Sequence, residues 1–232
     1  MNKKFYKEEV VMACDWFSDL YTNKRLPSHD CISKWFNEYY VESFPVRNAY
    51  VTTFGFPLLT KEVIAEITSA INSLVHVGGG VPTVLELCCG SGYLGSLLKG
   101  NGLNVICTDS NAWKNDDPVH GHGNFFQKPY TEIEEIDALE AIEKYKDKAD
   151  VIILSWPEYE SELAARVLEK CLKYNISMIY IGERYGGCTG DDEFFDIMEE
   201  RCNERFISDS YIPFPGIHDN IYLVTKKPEL VK

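Results

Sequence analysis

Residues 84–95, with the sequence V-L-E-L-C-C-G-S-G-Y-L-G, constrain the fold of this chain more than any other stretch. An aliphatic run carrying one acid, Glu86, leads into a turn of small residues and then into a helical pattern. This order predicts a β-strand, a tight turn and a helix whose first N–H groups are directed at a ligand. The sequence therefore predicts a nucleotide-like cofactor at this turn.

Two classes of cofactor bind at turns of this kind, and the charge of Glu86 distinguishes them. The letters from Gly90 to Gly95 match the dinucleotide pattern G-x-G-x-x-G. A carboxylate four residues before Gly90 would repel the pyrophosphate of NAD but attract the ammonium and sulfonium groups of S-adenosyl-L-methionine. Charge therefore favours the methyl donor, and an NAD(P)-dependent oxidoreductase is the alternative.

Residues 86–92 resemble motif I of the class I S-adenosylmethionine-dependent methyltransferases, acid-x-G-x-G-x-G, with Cys88 in place of the first glycine. A cysteine suits this position if its backbone keeps a negative φ. The resemblance in strand and helix order covers residues 83–183, and two further strand patterns, residues 206–212 and 220–226, predict a closing hairpin.

The resemblance implies a three-layer, Rossmann-like α/β fold with a mainly parallel seven-stranded sheet and an antiparallel C-terminal strand. It also implies a methyltransferase that uses S-adenosyl-L-methionine. A non-catalytic cofactor-binding module on the same fold is a further alternative.

The predicted cofactor site combines the turn with the end of the second predicted strand. Glu86 and the glycine backbone would hold the methionine end of the cofactor, and Asp109 would accept hydrogen bonds from two ribose hydroxyls. The alternative for Asp109 is a capping role in the D-S-N turn. The predicted cofactor-binding residues are Glu86, Cys88, Cys89, Gly90, Gly92, Asp109 and Ser110.

The predicted acceptor site follows a buried strand at residues 150–155. The sequence W-P-E-Y partly resembles the Pro-Pro-aromatic motif of amino-directed methyltransferases, with Trp156 at the position of the amide or acid. Trp156 and Pro157 either face the substrate or only shape the turn. The predicted catalytic residues are Ser155, Trp156, Pro157, Glu158, Tyr159 and Glu183.

Histidines offer two further candidate sites. His218 and Asp219 form either an acid/base pair or a surface turn with local hydrogen bonds. His120 and His122 have H-x-H spacing but no third ligand at a diagnostic distance, so we expect no metal.

Composition limits the partners and the compartment. The net charge of −13 opposes binding to a phosphate backbone, which disfavours nucleic acid and leaves a small-molecule or protein acceptor. Eight cysteines without C-x-x-C spacing predict a reducing compartment, the cytoplasm. We expect neither a signal peptide nor a membrane span.

Two regions are expected along the chain. Residues 1–47 predict an N-terminal cap of two amphipathic helices, whose aromatic stripes either pack on the main domain or form a lid. Residues 48–232 predict the cofactor-binding domain. Within it, residues 50–57 are expected to be extended, residues 125–126 to form a short third strand, and residues 132–148 to form an acidic helix.

Overall fold

The computed structural model describes residues 14–40, 43–74, 80–112 and 128–228. The helices and strands there follow in the order α1 (Asp15–Asn23), α2 (His29–Glu38), α3 (Ser43–Val51), α4 (Lys61–Leu74), β1 (Thr83–Leu87), α5 (Tyr93–Gly100), β2 (Asn104–Asp109), β3 (Glu134–Glu135), α6 (Ala138–Tyr145), β4 (Val151–Ser155), α7 (Leu163–Tyr174), β5 (Ser177–Gly182), α8 (Asp192–Arg201), β6 (Cys202–Phe206) and β7 (Asn220–Lys226).

The strands form one seven-stranded sheet in the order β3-β2-β1-β4-β5-β7-β6. Strands β1 to β5 are parallel to one another, whereas β7 runs antiparallel to β5 and to β6. The predicted fold class is confirmed, including the antiparallel C-terminal strand. The first strand of the predicted hairpin, expected at residues 206–212, instead spans Cys202–Phe206, because α8 passes directly into β6 at Cys202, and the two ranges share only Phe206.

Helices cover both faces of the sheet, and each face has its own hydrophobic core. Val84 and Ile153 point to the face covered by α1 to α5, whereas Leu85 and Leu154 point to the face covered by α6, α7 and α8. Successive residues of a strand face opposite sides, so a strand covered on both faces is apolar throughout. This explains the continuous apolar run of β4.

The aromatic residues of the N-terminal helices belong to the first of these cores. Phe17 is fully buried and contacts the rings of Tyr50 and Phe54, and Trp16 contacts Trp35 edge to face. The helices therefore pack against the same face of the sheet as α5. The expected boundary at residue 47 falls inside α3 and stays a prediction.

Two local predictions are wrong. Residues 50–51 end helix α3 instead of forming an extended connector, because the buried Tyr50 anchors the helix and its hydroxyl accepts the N–H of Leu59 (3.0 Å). The acidic helix begins only at Ala138, because the Asp137 side chain caps it, while residues 134–135 pair with β2.

The expected third strand at residues 125–126, and also His120 and His122, lie outside the described residues. None of the helices in the described parts of the chain combines the length and apolar character needed to cross a bilayer.

Candidate functional site

The turn after β1 and the turn after β4 lie side by side at the carboxyl edge of the sheet. Leu87 pairs with Leu154, and Ser155 pairs with Ile181 of β5. The predicted cofactor turn, the W-P-E-Y segment and Glu183 therefore begin at neighbouring positions along this edge. In open α/β sheets, ligands bind at the carboxyl ends of strands.

The cofactor turn contains three residues with positive φ. Gly90 and Gly92 have φ of 55° and 68°, a region that glycine enters without steric cost. Cys88 has φ of 50°, so the expectation of a negative φ at this position is wrong. The first glycine of motif I is thus replaced where the backbone is left-handed, which costs a non-glycine residue about 1 kcal/mol.

Asp109 is tied directly to this turn. Its Oδ2 accepts the Gly90 N–H (2.8 Å) and its Oδ1 accepts the Asn111 N–H (2.7 Å). The side chain is buried, and a carboxylate has about four lone-pair sites. Ser110 beside it is exposed, and its hydroxyl accepts the Ala112 N–H (3.4 Å).

Glu86 lies beneath helix α5 and is only 2% exposed. A Cβ on Gly95 would overlap its Oε2 atom and Cys107 Sγ, so the carboxyl fills the space under that glycine. Among the described residues, Oε2 has no hydrogen-bond partner of normal geometry. Burial, followed by the neighbouring Cys107, raises the pKa of Glu86 well above its usual value.

The predicted attraction of a sulfonium to Glu86 requires that its carboxyl is ionised. In the structure, burial disfavours the charged form and raises the pKa of this carboxyl, and the more distant Lys99 opposes this only in part. The carboxyl bonded directly to the turn is instead that of Asp109, whose Oδ2 accepts the Gly90 N–H. Direct contact of Glu86 with a cofactor stays a prediction.

The two cysteines of the turn are neutral. Burial raises the pKa of Cys88 to about 12, and a hydrogen bond to Cys107 together with burial raises the pKa of Cys89. A thiol in this form is neither a nucleophile nor a metal ligand. A neutral turn beside one carboxylate fits a cationic ligand that carries ribose hydroxyls.

Trp156 begins the W-P-E-Y segment, which follows β4 at the carboxyl edge of the sheet. Its φ is 50°, its backbone N–H donates to Ile181 O (2.7 Å), and its ring stacks on Phe56 at 4.9 Å between centroids. The indole Nε1–H donates to Asp219 Oδ2 (2.9 Å). These three contacts fix Trp156 at the edge of the sheet.

The other predicted catalytic residues differ from one another in how far they are buried. Pro157 is buried and Ser155 is half-buried, whereas Glu158 and Tyr159 are exposed, Tyr159 by 55%. Glu183 is buried, and its two oxygens accept the N–H groups of His218 (2.8 Å) and Cys188 (2.7 Å). Glu183 thus fixes the two loops beside the site. Catalytic roles for these residues stay predictions.

The sequence offered two alternatives for Asp219, an acid/base pair with His218 or a surface turn, and the structure shows neither. Asp219 is not part of a surface turn, since it is 4% exposed, and it does not pair with the exposed His218. Its Oδ2 accepts hydrogen bonds from Trp156 Nε1 and from the Tyr211 hydroxyl (2.7 Å). Burial raises the pKa of Asp219 to about 6. Its place directly before β7, at the sheet edge, was the signal available in the sequence.

No family profile matches this chain, and no curated protein is significantly similar to it. Solved structures similar to it include the bifunctional kinase-methyltransferase WbdD, at 17% identity over 74% of this chain and with a TM-score of 0.46. The chain spans only 40% of the length of WbdD.

Two shorter proteins are similar to this chain over nearly all of their own length. Magnesium protoporphyrin IX methyltransferase (ChlM) from Synechocystis PCC 6803, solved with bound S-adenosylmethionine, is 15% identical, covering 89% of this chain and 100% of that one, with a TM-score of 0.40. A SAM-dependent methyltransferase from Archaeoglobus fulgidus is 15% identical, covering 71% and 94%, with a TM-score of 0.42.

The architecture of the sheet supports the fold assignment independently of these distant similarities. A mainly parallel seven-stranded sheet, with β7 reversed and a motif I turn after β1, is the arrangement that the sequence resemblance implied. The chain has the Rossmann-like fold of the class I S-adenosylmethionine-dependent methyltransferases.

Proposed function

We propose that this protein transfers a methyl group from S-adenosyl-L-methionine to a small-molecule or protein acceptor. The observation that carries the proposal is the hydrogen bond from the Gly90 N–H to Asp109 Oδ2 (2.8 Å). It links the glycine turn to the acid at the end of β2. Fold alone does not establish an activity, so the proposal depends on the chemistry of this pair.

The pair favours a cationic cofactor over a dinucleotide. A pyrophosphate binds at a glycine turn through free backbone N–H groups at the start of a helix. Here the Gly90 N–H is bonded to Asp109, and the Gly92 N–H is bonded to Cys89 O (2.8 Å). A pyrophosphate would therefore meet bonded donors and a carboxylate, whereas a sulfonium would be attracted.

The chain's own residues would bind and orient the reactants. The backbone of residues 90–92 would contact the methionine end of the cofactor, and Asp109, at the end of β2, would accept hydrogen bonds from the ribose hydroxyls. S-adenosylmethionine, when bound, supplies a methyl group on a positively charged sulfur. Phe56 and Trp156 would form an apolar wall that orients the acceptor and keeps water out.

The choice of acceptor follows from charge. With a net charge of −13, the protein repels polyanions unless a local basic patch offsets this, so nucleic acid is a poor acceptor. A small molecule or a protein fits better.

Calorimetric titration tests the choice of cofactor. We expect S-adenosylmethionine to bind the purified protein and NAD to show no heat of binding at the same concentrations. S-adenosylhomocysteine, which lacks the sulfonium charge, tests the electrostatic argument, because Asp109 should favour the charged compound at low salt. Binding of NAD without binding of S-adenosylmethionine would overturn the proposal in favour of an oxidoreductase.

A further inference from the structure

Asp219 has one carboxylate oxygen that no described residue satisfies. The side chain is 4% exposed, and Oδ2 already accepts two hydrogen bonds, from Trp156 Nε1 (2.9 Å) and from the Tyr211 hydroxyl (2.7 Å). Oδ1 is buried and has no hydrogen-bond partner among the described residues. Buried polar atoms in folded proteins are rarely left unsatisfied, so this oxygen is a candidate contact for a hydrogen-bond donor of a ligand.

The position of Asp219 places its carboxyl at the edge of the sheet that carries the proposed acceptor site. Asp219 directly precedes β7, whose Ile221 pairs with Ile181 of β5, and Ile181 in turn pairs with Ser155 at the end of β4. Trp156, which donates to Asp219, also stacks on Phe56. The carboxyl therefore belongs to the same edge of the sheet as the cofactor turn.

The charged groups near Asp219 in the described parts of the chain do not bond to its Oδ1. Both oxygens of Glu183 are occupied by backbone N–H groups, so Glu183 adds negative charge without competing for the same ligand. The Arg47 guanidinium lies over the Trp156 ring, 6.0 Å from its centroid. An acceptor held at this place would meet two carboxyl groups and one aromatic pair, which opposes an anionic reacting group and suits a hydrogen-bond donor.

We propose that Asp219 is a catalytic residue whose Oδ1 accepts a hydrogen bond from the N–H or O–H group that becomes methylated, and then takes its proton. This rests on the proposed function. The acceptor atom forms a bond to the methyl carbon, the carbon–sulfur bond breaks with its electron pair passing to sulfur, and the proton moves to Oδ1. The substrate class is thus an amine or a hydroxyl compound, with an apolar part beside Trp156 and Phe56.

The geometry gives Asp219 a defined pH dependence. Burial, with a smaller contribution from the Glu183 charge, raises its pKa to about 6, while the hydrogen bonds from Tyr211 and Trp156 and the charge of Arg47 act in the opposite direction. The ionised form, which can take a proton, predominates above that pH. Methyl transfer should therefore fall as the pH drops through about 6.

Transfer of radiolabelled methyl groups from S-adenosylmethionine tests the proposal. Wild-type protein is incubated with the small-molecule and protein fractions of a cell extract, and label entering amine and hydroxyl products is measured. Asp219→Asn keeps the shape of the side chain, and should lower the transfer rate by about 100-fold or more without changing the affinity for S-adenosylmethionine. The exposed Asp209→Asn is the matched control and should transfer label at the wild-type rate. Transfer by Asp219→Asn at the wild-type rate would overturn the proposal.

A second variant keeps the test decisive if Asp219→Asn fails to fold. Tyr211→Phe removes a hydrogen bond that stabilises the ionised carboxyl, so the pH midpoint of transfer should move upward. A lower rate with an unchanged midpoint would contradict a proton-accepting role.

An NMR titration distinguishes failure of the proposed function from failure of this inference. The titration follows the signal of the Trp156 indole N–H, which the Trp156→Phe variant assigns. Its shift should respond to 2-phenylethylamine or 2-phenylethanol but not to ethylbenzene, and Asp219→Asn should abolish the response. If S-adenosylmethionine does not bind but this response is seen, the methyltransferase proposal fails while the donor-binding site stands. An equal response to all three probes would refute the donor-binding site.

Discussion

The backbone N–H of Gly90 donates a 2.8 Å hydrogen bond to Asp109 Oδ2, which joins the turn after β1 to the end of β2. These residues lie 19 positions apart in the chain. The bond fixes the carboxylate beside the turn and occupies an N–H that an anionic ligand would need. We therefore expect Asp109, and not the buried Glu86 whose pKa is raised, to favour a cationic ligand at this turn.

Asp109→Asn should weaken binding of S-adenosylmethionine. An amide can replace one hydrogen bond to the Gly90 N–H, but it lacks the charge and half of the accepting capacity. Hydrogen bonds to charged groups contribute about 1.5–3 kcal/mol, so we expect a loss of affinity of roughly 10-fold to 100-fold. Calorimetry measures it, with the exposed Asp147→Asn as the control. Equal affinities for the two variants would exclude Asp109 from the cofactor site.

Gly95→Ala should destabilise the fold. The new Cβ would overlap the buried Glu86 carboxyl and Cys107 Sγ, and overpacking of this kind costs about 1–3 kcal/mol. Gly100 lies in the same helix with open space around it, so Gly100→Ala should leave stability unchanged or raise it by up to about 1 kcal/mol. Urea denaturation of both variants compares the free energies of unfolding. Similar values would show that α5 does not pack closely over Glu86.

Glu86→Gln should change how stability depends on pH. The folded-state pKa of Glu86 lies above that of the unfolded chain. The contribution of the Glu86 carboxyl to the free energy of unfolding is therefore complete below the pKa of the unfolded chain, about 4.3. This contribution is lost as the pH rises toward the pKa of the folded state. The glutamine variant has no such loss, so its melting temperature relative to wild type should increase between pH 5 and pH 8.

The control for this series is Glu200→Gln, which changes an exposed carboxyl. Its melting temperature should follow that of wild type. If Glu86→Gln were instead less stable than wild type by an amount that grows with pH, the carboxylate would be ionised and paired in the folded protein.

Cys88→Gly should be tolerated better than Cys89→Gly. Cys88 has φ of 50°, where glycine removes about 1 kcal/mol of backbone strain, and this offsets the lost side-chain packing. Cys89 packs against the core on the other face and has no such strain to relieve. Thermal denaturation should place Cys88→Gly within about 1 kcal/mol of wild type and Cys89→Gly below it. The reverse order would mean that position 88 is not left-handed.

Local patterns were sufficient to predict most of the fold. The small residues after β1, the apolar run of β4 and the acid that ends β2 are features of short segments, and each one is confirmed as part of its predicted element. The resemblance to motif I then implied a mainly parallel seven-stranded sheet with an antiparallel C-terminal strand, which the structure confirms. The local errors occurred where one distant contact decided the result, as at Tyr50, which is held by the Leu59 N–H.

The sequence by itself determined the architecture and the position of the turn, because strand, turn and helix patterns depend on neighbouring residues. Only the tertiary structure decided the surroundings of each carboxyl group. Packing under Gly95 raises the pKa of Glu86, and the bond between Trp156 and Asp219 joins residues 63 positions apart. Burial and hydrogen-bond partners set the charge and the free lone pairs of a carboxyl, and both arise from contacts between distant segments.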